Sequence, residues 1–203
     1  MLTRSCVLLA FVLSGCAHQG VFDRNAKGLD LLFAVPSEPI PVAGAVLTIP
    51  NASKWTMTGR NAGSINAIWL VSRVPLYSRV VLVDMGTVAN DFVDVDDFYR
   101  VAESHVTSVL RQAPKGVELI EKSRKTIATA DCLFWRAKVP TADPDHRPNT
   151  KLVLDRMEYS CRHPTRPRTV VVFQYSERFE LGQDVGDIAS RAGEVFRSIS
   201  FTQ

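Results

Sequence analysis

The chain has 203 residues, 46% of them hydrophobic and 22% charged, with a formal net charge of +3 at pH 7. That balance is ordinary for a globular protein of one domain with a sizeable core, and it excludes a disordered or fibrous chain. So slight a basic excess argues against a nucleic-acid partner.

Residues 1–15, MLTRSCVLLAFVLSG, set one basic residue, Arg4, before an apolar run that opens at Cys6 and exits through Ser14 and Gly15. This is the pattern of a secretory signal, and the run is far shorter than the ~20 residues a spanning helix needs. Residues 13–16, LSGC, resemble the lipobox of bacterial lipoproteins; the rival is an ordinary signal peptide with a chance cysteine. The resemblance implies cleavage before Cys16, a diacylglycerol on its thiol and an acyl chain such as palmitate on its amine. Ala17 stands where inner-membrane lipoproteins of many Gram-negative bacteria carry aspartate, so the resemblance implies the outer membrane, facing the periplasm. Two or more chains at ~0.8 kcal/mol per buried CH₂ hold a protein stably on a bilayer.

The polar, aperiodic residues 17–27 read as a tether able to hold a domain roughly 35–40 Å from the membrane. A short strand is expected over 29–35, and PSEPIPVAG, 36–44, is too rich in proline for a regular interior strand or helix. The expected organisation is a signal peptide over 1–15, a lipidated N-terminus and tether over 16–44, and one α+β domain over 45–203.

Short strands are predicted at 46–49 and 54–58 around the turn PNAS, and longer ones at 65–74 (INAIWLVSRV) and 79–88 (RVVLVDMGTV), rich in β-branched and large apolar residues. The period then changes. In DVDDFYRVAESHVTSVLRQ, Val95, Phe98, Val101, Ala102, Val106, Val109 and Leu110 share one helical face, with Asp94 as N-cap and Pro114-Lys115-Gly116 as stop. Strands follow at 117–123, 126–139, 151–161 and 169–179, separated by TADPDHRPN and RHPTRP. A last helix in DVGDIASRAGEVFRSIS carries Val185, Ile188, Ala189, Ala192, Val195, Phe196 and Ile199 as its stripe, with Asp184 and Asp187 resembling a capping box. The fold class is α+β, an antiparallel twisted sheet flanked by two main helices.

With Cys6 removed and Cys16 acylated, one cysteine pair remains, Cys132 and Cys161, a disulfide candidate in an oxidising compartment. Free buried thiols and half of a metal site are the rivals, and neither a CxxC nor a nearby histidine pattern supports metal.

Ile49-Pro50 with Trp55, the order of strands, helix, antiparallel meander and closing helix, and the ending Ser198, Ile199, Phe201 resemble the Mog1p/PsbP-like fold, including envelope lipoproteins of the DcrB kind. The resemblance covers about residues 45–202 and implies a small, non-enzymatic module that binds or stabilises an envelope protein partner.

No GxSxG, HExxH, GxGxxG, P-loop or CxxC occurs, so no catalytic residue and no cofactor is expected. The histidines His18, His105, His146 and His163 fall in the tether, a helix and two turns, and His105 reads as a boundary residue. Asp91, Asp94, Asp96 and Asp97 lack the glycine and distal glutamate of an EF-hand, and helix capping explains them without metal. Arg162, His163, Arg166 and Arg168, with His146 and Arg147 nearby, make a basic turn that could meet anionic headgroups or an acidic partner; a solvated turn that blocks edge pairing is the rival. The expected function is a lipid-anchored, non-catalytic interaction or assembly module of the envelope. The alternative is a carrier or enzyme for a small envelope molecule, using a pocket between sheet and helix.

Overall fold

The computed structural model describes residues 33–73, 75–141 and 150–202. The signal segment, Cys16, His18, His146 and Arg147 lie outside the described residues. In chain order the described elements are β1 (Phe33–Ala34), β2 (Ile40–Val42), β3 (Ala45–Leu47), a 3-10 turn (Ala52–Lys54), β4 (Thr56–Arg60), β5 (Ile65–Ser72), β6 (Tyr77–Thr87), α1 (Val95–Gln112), β7 (Glu118–Ile127), β8 (Ala130–Thr141), β9 (Leu152–Arg162), β10 (Thr169–Glu180), α2 (Ile188–Arg197) and β11 (Ser200–Phe201). No described helix is long and apolar enough to cross a membrane.

The fold is α+β. Eight strands form one antiparallel sheet in the order β1-β4-β5-β6-β10-β9-β8-β7, and β11-β3-β2 form a small second sheet. The middle of the large sheet is held by β10, which pairs with β6 from Thr169↔Thr87 to Phe179↔Tyr77 and with β9 from Val170↔Arg162 to Glu180↔Leu152. Alternation then sends β10 residues to opposite faces. Val171, Phe173 and Tyr175 meet Ile40, Leu47, Ile49, Val195 and Phe196 in the core under α2 and the small sheet. On the other face, Leu133, Trp135, Ala137 and Val170 pack against Phe98, Tyr99, Ala102 and Val106 of α1. Phe98 has no exposed surface, and burial of such a side chain contributes about 1.5–3 kcal/mol.

The helices start as their sequence dictates. Asp94 Oδ1 accepts from Asp97 N–H at 2.7 Å, and Asp97 Oδ2 in turn accepts from Val93 N–H at 3.3 Å. For α2 the capping box expected of Asp184 and Asp187 is corrected. Asp187 alone caps, accepting from Ser190 N–H at 3.0 Å, while Asp184 closes the preceding turn onto Gly186 N–H at 2.9 Å.

Three further expectations change. The strand expected over 126–139 breaks at Ala128 and Thr129, whose φ angles of 43° and 75° make a two-residue hairpin turn, so 126–127 end β7. The weak strand expected over 117–123 is the ten-residue β7, exposed along nearly its whole length at the sheet edge. The folded domain also begins before residue 45. Val35, Ile40, Val42 and Ala43 are buried, and Pro41 sits in β2, the edge strand of the small sheet, where a missing N–H costs no ladder bond.

Candidate functional site

Three buried carboxylates interrupt the strands, and each meets arginine. On the α2 face, Glu177 of β10 accepts from Tyr77 Oη and Tyr175 Oη, both at 2.6 Å. Arg191 of α2 adds Nε to Oε1 at 2.8 Å and Nη2 to Oε2 at 2.9 Å. Burial alone would raise the pKa of Glu177, but these donors outweigh it and hold the carboxyl below its usual range. Arg79 stacks on Trp69 with its guanidinium carbon 4.4 Å from the ring centroid, and its Nε and Nη2 donate to Tyr77 Oη. Every oxygen of this cluster is occupied, so it fastens α2 to the sheet. Asp155 is likewise clamped by Arg136, at 3.0 and 2.8 Å.

Glu158 differs. It lies on the opposite face, fully buried, with Arg156 Nη2 and Ser160 Oγ donating to it and His105 Nε2 of α1 at 3.6 Å from Oε1. Burial raises its pKa, yet Arg156 and His105 prevail and hold it at about 2. The carboxylate is therefore ionised at neutral pH and offers no proton to transfer. Beside it, Arg156 lies over the Trp135 ring, 4.9 Å from the centroid. Trp135 Nε1 and Arg156 Nε are buried donors with no acceptor among the described residues. Gln174 and Ser176 extend the polar floor along β10. His105 is thus more than a boundary residue; it links α1 to a buried carboxylate beside which Trp135 Nε1 and Arg156 Nε remain unused.

The basic turn is rigid, and its histidine is not solvated. The His163 side chain, 1% exposed, donates Nε2–H to Gly44 O at 3.1 Å and accepts Thr165 N–H at Nδ1 at 3.2 Å. Gly44 has φ +74°, and a Cβ there would overlap the His163 ring, so both conformation and space require glycine. Arg168 Nε donates to Val88 O at 3.0 Å, Arg162 lies 5.7 Å over the Phe92 ring, and Arg166 is exposed.

Cys132 and Cys161 are directly opposed in the β8–β9 ladder and are joined in a disulfide, both without exposed surface. The aspartates expected to cap do so at Asp94 and Asp97, while Asp96 pairs with Arg124 at 2.9 Å. Among the described residues no group of histidine, cysteine, aspartate and glutamate has metal-ligand geometry. Sequence reasoning missed Asp155, Glu158 and Glu177. Their signal was a charge at an inward position of an apolar strand, as with Glu177 between Tyr175 and Phe179.

No known protein family matches the chain, and no curated protein does. Among solved structures it is similar to LpqN, described as involved in cell envelope biogenesis of Mycobacterium tuberculosis. The TM-score is 0.49 at 12% identity, over 83% of this chain and 86% of that one.

Proposed function

We propose that this chain is a lipid-anchored protein of the cell envelope, held at Cys16 in the outer membrane and facing the periplasm, whose domain works by binding an anionic partner through Arg162, Arg166 and Arg168. In this reading it is an interaction or assembly module of the Mog1p/PsbP-like kind that turns over no substrate. The observation that carries it is LSGC at residues 13–16, directly after the apolar run. Two others support it. The Cys132–Cys161 disulfide suits an oxidising compartment. The buried carboxylates Asp155, Glu158 and Glu177 are each bound by arginine, which fits fastening better than proton transfer. Intact mass of the mature protein tests the anchor: an acyl-sized increment on Cys16, lost together with processing in Cys16→Ala, is expected, and an unmodified Cys16 defeats the reading.

A second reading, a carrier for a small envelope molecule, is favoured by the unused donors Trp135 Nε1 and Arg156 Nε beside Glu158. Native mass spectrometry of protein taken from its own envelope distinguishes it. A small adduct that disappears in Trp135→Phe supports a carrier, and bare protein opposes one.

A further inference from the structure

We propose that the end of the domain at which the tether enters is a membrane-facing surface, which docks on the anionic headgroups of the same bilayer that holds Cys16. This deepens the anchored-module reading and rests on it, naming lipid as the anionic partner.

The first ground is the direction of β1. It runs antiparallel to β4, with Phe33 opposite Met57 and Ala34 opposite Thr56. Since β4 ends at Arg60, the chain enters β1 from the Arg60 end of the sheet. Residues 17–32 can span at most ~55 Å, so the anchor permits contact between this end and the membrane without forcing it. Contact needs an attraction of its own, and tethering makes a modest one sufficient.

The second ground is what this end carries. The turns at 43–44, 61–64 and 162–168 and the segment after β6 converge there and are bonded to one another. Ala43 N–H donates to Ala62 O at 3.0 Å, and Val88 N–H donates to Arg168 O at 2.9 Å. The His163–Gly44 and Arg168–Val88 bonds complete the set. On this framework stand Arg60, Arg166 and Arg168, exposed, and Arg162, half-buried. No described carboxylate lies within ion-pair distance of any of the four. Exposed apolar side chains share the end: Phe33 at 53% and Met85 at 37%. Arginines beside isolated apolar side chains suit the headgroup layer, which takes the charge at its surface and the apolar tips just below.

The third ground is asymmetry. The carboxylates nearest this end, Asp84, Asp91, Asp94, Asp96, Asp97 and Asp131, lie on or just before α1 or, by strand alternation, on the face of β6 and β8 that α1 covers, opposite Gly44 and the small sheet. Asp96 and Asp97 are also paired, with Arg124 and Arg100. Repulsion from these aspartates would tilt α1 away from an anionic surface and bring Arg60 and Arg166 toward it.

The test uses full-length acylated protein on vesicles of phosphatidylcholine, with and without phosphatidylglycerol, read by amide hydrogen exchange over 60–64 and 162–168. Slower exchange only on the phosphatidylglycerol vesicles, reversed by high salt, is expected. Arg60→Ser/Arg166→Ser, chosen because neither guanidinium bonds to another described residue, should weaken binding roughly fivefold per arginine. Equal exchange on both vesicles, with the protein floating on both, overturns the docking surface and leaves the anchor standing. Protein that floats on neither overturns the anchor and this surface with it. Protection that appears only when envelope proteins are added assigns the surface to a protein partner and overturns the lipid assignment.

Discussion

Arg191, on α2, holds both oxygens of Glu177 on β10, and the same two oxygens receive the hydroxyls of Tyr77 and Tyr175. Four donors converge on one buried charge, and removing the strongest leaves that charge under-compensated. Arg191→Met should lower the unfolding free energy by about 3–5 kcal/mol in urea titration. Adding Glu177→Gln should recover part of that loss, because the orphaned charge goes with it. A single variant within error of wild type would mean the tyrosines suffice.

Acid should act through His163. Burial depresses its pKa below the ordinary 6.5, with Arg166 adding to the effect against the bond to Gly44. The unfolded chain therefore takes up the proton first as pH falls. Stability from this group is complete above about pH 6.5 and is lost below it, by up to ~1.4 kcal/mol per pH unit until the folded form also titrates. Denaturant titrations between pH 7.5 and 5 should show that slope, and His163→Gln should flatten it. An unchanged slope in the variant assigns the acid loss to other groups.

Reducing the Cys132–Cys161 bond frees a loop with a sequence separation of 29. The chain-entropy estimate for such a loop is about 3.6 kcal/mol, an upper figure because native strain subtracts. The double variant Cys132→Ala/Cys161→Ala should lose stability in that range, and wild type in strong reductant should match it. Thiol labelling of both cysteines in unfolded, unreduced protein would contradict the bridge.

The β7–β8 turn is built from residues poorly suited to it. Ala128 and Thr129 both have positive φ, and the β-branched Thr129 is the costlier. Ala128→Asn with Thr129→Gly should stabilise the protein by about 1 kcal/mol, measured as a higher urea midpoint at constant slope.

That same turn shows what the sequence could not reveal. A two-residue hairpin is legible when it reads Asn-Gly, whereas Ala-Thr between two strand-like runs gives no punctuation, and the runs merge. β5, β6, β9 and β10 were legible as runs rich in β-branched and large apolar residues, and α1 and α2 because their apolar stripes keep the helical period. β7 carries charge along an exposed edge, so its strand signal is weak and only 117–123 reads as its own strand. The place of His163 was out of reach for a different reason. Its flanking prolines and arginines announce a solvated turn, and the carbonyl that buries it is 119 residues away. For Glu158 and Glu177 the inward position was visible, and Arg156 and Tyr175 stand two residues away on the same strands, but His105, Tyr77 and Arg191 come from other elements.

The small sheet has a consequence for the order of assembly. β11 pairs with β3 through Ser200↔Val46 and Phe201↔Ala45, and Thr202 donates both N–H and Oγ1 to Gly44 O, at 2.9 and 2.8 Å. A chain that emerges N-terminus first, during synthesis or translocation, would expose residues 40–47 long before residues 200–202 arrive to cover them. Until then β3 has one open edge and Ile40, Val42 and Leu47 lack part of their cover, so the interval before closure is when a chaperone would find its grip.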